Sequence, residues 1–493
     1  MRPRATALAL VVLCVIGCAG PRLARPALDG WHSVSVNDIR IIANGTAEET
    51  RALARDLAGF DAAFAFLIGR QIPATGPTTI ALIRDSGLKH RFRLDRGTLG
   101  YAFTTLDGSL SCVGLDHPGQ TRHVLLHEYT HLLLARHHDA RVPRWYNEGL
   151  ASFFETLAYR DGALVVGAIT SDRLVGVVKR KPMPLAKMFG GDREATLRGQ
   201  LISDFYATSW ALIHYLMQTP KGRRELSRFE RELAKGTPLE QAREAAFARP
   251  FPQLDSELAV HIGYLAHGVA AVSVLDPKQI AIAEPPAAVP VPRGEVAREL
   301  GAIALALGEE SADEAEDDGG ISSLASELLG IAVAEDPTSA RAGAALARAR
   351  ALDGDADGSG EAIAAALRAA PGDVQVQLAA GRVALAAQDD GEAQARFRSA
   401  IALDERSPSA WYGLGRALAR AGDARSALEA FTRARRLGWS SPLDLELGRL
   451  HVAARRADEA RALLQPLAAD PHGGAIGKKA AELLEELDAP AEP

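Results

Sequence analysis

The sequence predicts two folded parts of different class: an α+β domain over residues 28–270 and an all-α array of helical hairpins over 296–493. Three observations carry this. Apolar runs short enough for strands, TTIALIR (78–84) and GSLSCVGL (108–115), precede long amphipathic helical runs, the mark of a sheet-plus-helix domain. After residue 295 small-residue landmarks return at a fixed step, as in stacked repeats. Nearly all histidines and aromatics lie in the first part and most of the alanine in the second, with AEPPAAVPVPR between them.

At 493 residues the chain is too long for one core. Apolar and charged fractions of 47% and 24% are those of globular protein and exclude wholesale disorder. A net charge of −6 argues against a nucleic-acid binder, since nucleic-acid modules usually show a basic face, and no nucleic-acid partner is expected.

The first twenty residues, MRPRATALALVVLCVIGCAG, run from two arginines through an apolar stretch to small residues. That order is an export signal, too short for a membrane span. Its close, Val15-Ile16-Gly17-Cys18, resembles the bacterial lipobox. The resemblance implies a signal peptide over residues 1–17, a lipid on Cys18, and a tether over 18–27; an ordinary signal with an incidental cysteine is the alternative. The implied location is exported and anchored to a bacterial membrane, on the periplasmic face of the outer membrane if the source has two. Of three cysteines, Cys14 would leave with the signal and Cys18 would be acylated. Cys112 then has no partner for a disulfide and reads as a small buried hydrophobe.

Within TRHVLLHEYTHLLLAR the five residues HEYTH place His127 and His131 one helical turn apart on one face. Two imidazoles so placed can reach one metal ion, while Glu128, turned roughly 100° away, is left to face a water. After sixteen intervening residues Glu148 follows, in the context W-Y-N-E-G-L-A. Together these stretches resemble the gluzincin branch of zinc peptidases, and more closely bacterial peptidase MA-like proteins, over residues 28–270.

The resemblance implies an α+β zincin-like fold, a mixed sheet plus active-site helices, in which His127, His131 and Glu148 hold Zn2+ and Glu128 is the general base. It implies an oxyanion-stabilising residue on a later helix; SDFYATSWALIHYLMQ offers Tyr206 and His214, with Tyr206 preferred because related sequences place a tyrosine near that helix start. It also implies an edge strand before the metal helix that pairs with extended substrate, the position GSLSCVGL occupies. One departure stands out. Some gluzincins carry an acid four residues beyond the glutamate ligand to orient a ligand histidine; here that residue is Ser152, which leaves two alternatives, Glu155 one turn further as the substitute or a different support for the histidine.

Residues 271–295 read as an extended Pro/Ala-rich linker. Beyond it the landmarks recur every 34 residues, with Gly381, Ala393, Phe397 and Ala400 answering Gly415, Ala427, Phe431 and Ala434. This resembles the tetratricopeptide repeat, about five units with GKKAAELLEEL as a polar capping helix. The acidic run EESADEAEDD (309–318) lacks the alternating ligands and turn glycine of a calcium loop and reads as a solvated loop.

The expected function is a membrane-anchored zinc metallopeptidase acting on a peptide or protein substrate, with the repeats holding a protein partner and Cys18 the membrane. Two alternatives are a repeat-scaffold lipoprotein with a vestigial metal domain and a purely structural zinc. The second expects four protein ligands, often thiolates, where three are found.

Overall fold

The computed structural model describes residues 26–69, 77–94, 99–115, 118–138, 142–189, 200–235, 237, 239–268, 272–311, 320–468 and 474–489; Cys18, the expected signal segment and residues 312–318 of the acidic run lie outside the described residues. Strands β1 (His32–Val36) and β2 (Ile39–Ala43) form a hairpin whose two-residue turn puts Asn37 at φ 52°, a left-handed conformation that asparagine tolerates. Helix α1 (Ala47–Ile68) starts at a reciprocal cap between Thr46 and Glu49 and stops at Gly69, φ 75°. It crosses to β3 (Thr78–Ile83), parallel to β2. Next come α2 (Ser86–Arg91) and the hairpin β4 (Gly100–Thr105) and β5 (Gly108–Gly114).

Two helices follow directly, α3 (Pro118–His138) and α4 (Arg144–Phe154), and then a second, smaller hairpin of β6 (Ala158–Arg160) and β7 (Ala163–Val166). Helices α5 (Ser171–Arg180), α6 (Leu185–Phe189), α7 (Gln200–Met217), α8 (Pro220–Ala234), α9 (Leu239–Ala246) and α10 (Phe251–Ala266) complete this part. The linker expected over 271–295 is extended but pinned to the domain. Strand β8 (Ser273–Leu275) pairs with β7, β9 (Val289–Pro290) pairs with β1, and Glu284 accepts from Arg51 and Arg55 of α1.

The large sheet runs β4-β5-β3-β2-β1-β9 and is mixed, as expected. One expectation is corrected: GSLSCVGL is not the edge. The turn at Leu106–Asp107 folds GYAFTT back onto β5, so β5 is flanked by β3 and β4, and β4 is the outer strand beside α3. The central strands are apolar on both faces because both are covered. Ile80, Leu82 and Val113 join the core under α1, α3 and α4. Ala81, Ile83 and Cys112 join a second core with the helices that begin the repeats. Cys112 is fully buried, and burial pushes its thiol pKa up, so it behaves as the small hydrophobe expected.

Among the described residues the C-terminal part is five helical hairpins and a last helix. The pairs are α11 (Arg293–Ser311) with α12 (Gly320–Glu335), α13 (Ala340–Leu352) with α14 (Ala356–Ala369), and α15 (Val374–Ala386) with α16 (Asp390–Leu403). Then come α17 (Pro408–Arg420) with α18 (Ala424–Leu437), α19 (Ser441–Ala453) with α20 (Ala457–Ala468), and α21 (Gly474–Asp488) at the expected capping position. Caps from Asp355, Asp373, Asp389, Ser407 and Asp423 punctuate the helix starts. The glycine landmarks have a steric cause. A Cβ at Gly381 would stand 2.7 Å from the Phe397 ring and one at Gly415 2.5 Å from Phe431, so each glycine makes room for the phenylalanine of its partner helix. This packing makes the region a tetratricopeptide-like array. Among the described residues no helix is long and apolar enough to cross a membrane.

Candidate metal centre

Helix α3 buries Leu125, Leu126, Tyr129, Leu132 and Leu133, which turns His127 and His131 to its other side. Their ring centroids lie 4.8 Å apart. The helix is held in rotation by Tyr129, whose hydroxyl donates to Asp61 of α1 at 2.7 Å. Helix α4 carries Glu148, which is 1% exposed. Trp145, one turn earlier, is wedged against Phe189 and Phe229 at centroid distances of 4.5 and 5.6 Å. The glycine of N-E-G lets α4 press on α7: a Cβ at Gly149 would stand 2.5 Å from Ile213 and 2.7 Å from the Ser209 carbonyl. Because one neighbour there is backbone, Gly149→Ala is expected to cost about 1–3 kcal/mol and to weaken metal binding by displacing Glu148. Urea unfolding and metal titration of the variant check both.

One donor atom each from His127, His131 and Glu148 lies within 4.8 Å of the others. The Glu148 carboxylate is 3.7 Å from His127 Nε2. Tetrahedral zinc with ligand bonds of about 2.0–2.1 Å separates its ligands by roughly 3.3 Å, so a small contraction would close the set. The far ends of both rings are held. His127 Nδ1 lies 2.8 Å from Glu155 Oε2, and His131 Nδ1 2.8 Å from Asn147 Oδ1. Acceptors at both Nδ1 atoms keep their protons there and leave Nε2 to the ion. By donor type and orientation the residues fit a zinc ion.

Burial disfavours a charged His127, yet the hydrogen bonds and charges of Glu148 and Glu155 outweigh it and push its pKa up to about 10. A site that draws in a proton this strongly draws in cations generally. Proton and metal compete for one lone pair, so raising the pH frees the site. Zinc affinity is expected to rise up to about tenfold per pH unit between roughly pH 6 and 9, with proton release seen by calorimetry in buffers of different ionisation enthalpy.

Glu155 stands where the sequence proposed it, in place of an acid at Ser152. Asn147 was given no role in the sequence reading; its signal was its place in W-Y-N-E-G, one residue before the glutamate and so turned toward the other histidine. Glu155→Gln keeps a hydrogen-bonding group but removes the charge, and is expected to lower zinc affinity about 10–100-fold. Titration against a fluorescent chelator measures it.

Glu128 is half-buried beside the edge strand: a Cβ at Gly100 would meet its Cγ at 3.3 Å. The two candidates on α7 separate. His214 is fully buried, with its ring nitrogens 2.9 Å from the Gly167 carbonyl and 2.8 Å from His261 Nε2, so the ring is turned to the interior. Burial and the adjacent His214 push His261 down to about 4. Tyr206 accepts from Arg144 at 3.3 Å, and Arg144 lies one turn before Glu148 on α4. The structure thus brings Tyr206 to the helix that carries the glutamate.

Residues 123–240 match a family described as a protein of unknown function (DUF1570), a span that holds both histidines, Glu148 and Tyr206. No curated protein matches the chain. Among solved structures, a thermophilic TPR protein of Thermus thermophilus is 19% identical, covering 39% of this chain and 99% of that one at a TM-score of 0.34. Pseudomonas aeruginosa pilF is 23% identical over 39% and 87% at 0.29, and the APC/C hetero-tetramer Cut9–Hcn1 is 15% identical over 61% and 67% at 0.31. At such scores the repeat assignment rests on the helix packing described above.

Proposed function

We propose that the chain is a zinc peptidase anchored to a membrane through Cys18, with the repeat array recruiting a protein partner or substrate. The observation that carries this is the donor set of His127, His131 and Glu148, each histidine held from behind, with Glu128 beside a strand edge. A structural zinc would call for a fourth protein ligand; among the described residues the set is three.

Bound zinc would supply Lewis acidity toward a carbonyl and lower the pKa of water. Glu128 takes a proton from the attacking water as its oxygen bonds to the carbonyl carbon. It returns that proton to the amine nitrogen as the C–N bond breaks. The outer backbone of β4 offers N–H and C=O groups to an extended peptide, which holds substrate with little regard to its side chains. Tyr206 is assigned to the developing oxyanion, with Arg144 setting its hydroxyl. Tyr206→Phe should then lower kcat with KM and zinc content kept; unchanged kcat returns Tyr206 to a packing role.

The test is metal content and peptide hydrolysis by the full chain in detergent. About one zinc per chain with hydrolysis supports the reading; a wild-type chain without zinc overturns it and leaves a repeat scaffold. Cys18→Ser, expected to move the protein from membrane to soluble fraction, tests the anchor.

A further inference from the structure

The inner helices of the repeats carry a second pattern at the step the glycines keep. Arg348 on α13, Arg382 on α15 and Arg416 on α17 recur every 34 residues, each on the first helix of its hairpin. Equivalent positions of stacked repeats line one continuous face, so these arginines form a ladder. They are close enough to feel one another. The Arg348 pKa is drawn down first by desolvation and next by the Arg382 charge, despite the nearby Glu309.

Stacked like charges call for anions between them, and two carboxylates of this chain fill that role. Glu309, near the end of α11, accepts from Arg348 at 2.6 Å. Asp107 comes from the α+β domain, at the turn of the β4–β5 hairpin. It accepts from Arg382 at 3.2 Å and from the Ser409 hydroxyl of α17 at 2.7 Å. Leu106 beside it packs on the core of α15–α18 and lies near Gly438. Arg416 is exposed, its guanidinium 5.9 Å from the Tyr412 ring centroid, and makes no ion pair among the described residues.

We propose that this ladder is a docking groove for an acidic, extended segment of a partner polypeptide, which enters by displacing Asp107 and pairs with Arg382 and Arg416. Both internal occupants are carboxylates, and the planar guanidinium fork matches a carboxylate with two parallel hydrogen bonds. Asp107 is therefore a resident competitor that keeps the groove partly filled. The hairpin it caps has β4 as its outer strand, with Gly100 against Glu128, so displacement frees the tip of the strand that borders the metal centre. That coupling rests on the peptidase reading; the docking does not.

The test is fluorescence anisotropy of a labelled octa-glutamate peptide against the full chain, with an octa-lysine peptide as control. Asp107→Asn keeps a polar side chain for Ser409 but removes the charge that competes for Arg382, and should tighten binding at least about fivefold. Arg416→Gln should weaken binding about fivefold or more, and since Arg416 is exposed and makes no ion pair among the described residues the fold should be kept, read as an unchanged circular dichroism spectrum. Binding that neither variant changes overturns the proposal. So does tighter binding of an oligo(dT) of equal charge, which would mark a surface for polyanions in general. Zinc content, read on the same samples, reports separately on the metal centre.

Discussion

Glu148→Ala protein is expected to purify without zinc, while the wild type carries about one ion per chain and Glu128→Gln keeps it. Glu148 is the only carboxylate in the donor set, and it arrives from a different helix than the two histidines. Removing it leaves two imidazoles on α3, a pair with neither the charge nor the number of ligands that tetrahedral zinc requires. The effect should also appear in stability, because an ion that binds only the folded state stabilises it. Zinc at a thousandfold excess over Kd contributes about 4 kcal/mol. At roughly 2–4 °C per kcal/mol for a unit of 150–250 residues, zinc should raise the wild-type Tm by on the order of 10 °C. Glu148→Ala should show none of that rise. Glu148→Gln, which fills the same space without charge, separates loss of a ligand from loss of packing. Equal zinc content in the wild type and both Glu148 variants would sink the assignment.

How much of this was legible in the sequence depended on whether the determinant is local. The i, i+4 spacing of His127 and His131 is local, and a helix turns it directly into a shared face. The repeats were legible for a similar reason, since Gly381 and Gly415 mark the same contact each time it recurs. Pairing across the sheet is not local. GSLSCVGL reads as a strand in isolation, but whether it is an edge depends on where GYAFTT folds, and that is set by the turn at Leu106–Asp107. Residues 271–295 have the composition of a spacer, yet Val289–Pro290 finds the edge of β1, which no local pattern announces. Asn147 on α4 and Glu155 at its C-cap show both cases: Ser152 leaves a place for an acid that Glu155 can answer, whereas the amide carries no signal beyond its place beside Glu148. The arginine ladder was available at the step already in hand; it takes on meaning only once Asp107, far away in sequence, is found between its rungs.

The second large effect concerns Glu128. Glu128→Gln is expected to keep zinc and fold while hydrolysis falls by about two to four powers of ten, the range general acid–base groups contribute. Glutamine has the size of glutamate and can still hydrogen-bond a water, but it cannot take up the proton that the water gives up as its oxygen attacks. The position of Glu128 decides why this residue and not another acid. It lies next to His127 in sequence but turned away from it, and its stem runs beside Gly100 of the outer strand, where a peptide added to the sheet would lie. The other carboxylates of the centre have different work: Glu148 belongs to the donor set, and Glu155 holds the back of His127. Loss of Glu155 should therefore act through zinc affinity and be recovered by adding zinc, whereas loss of Glu128 should not be recovered at any zinc concentration. That contrast distinguishes a group that acts on substrate from one that positions a ligand. A Glu128→Gln protein that hydrolyses peptides at the wild-type rate would remove the general base from the mechanism.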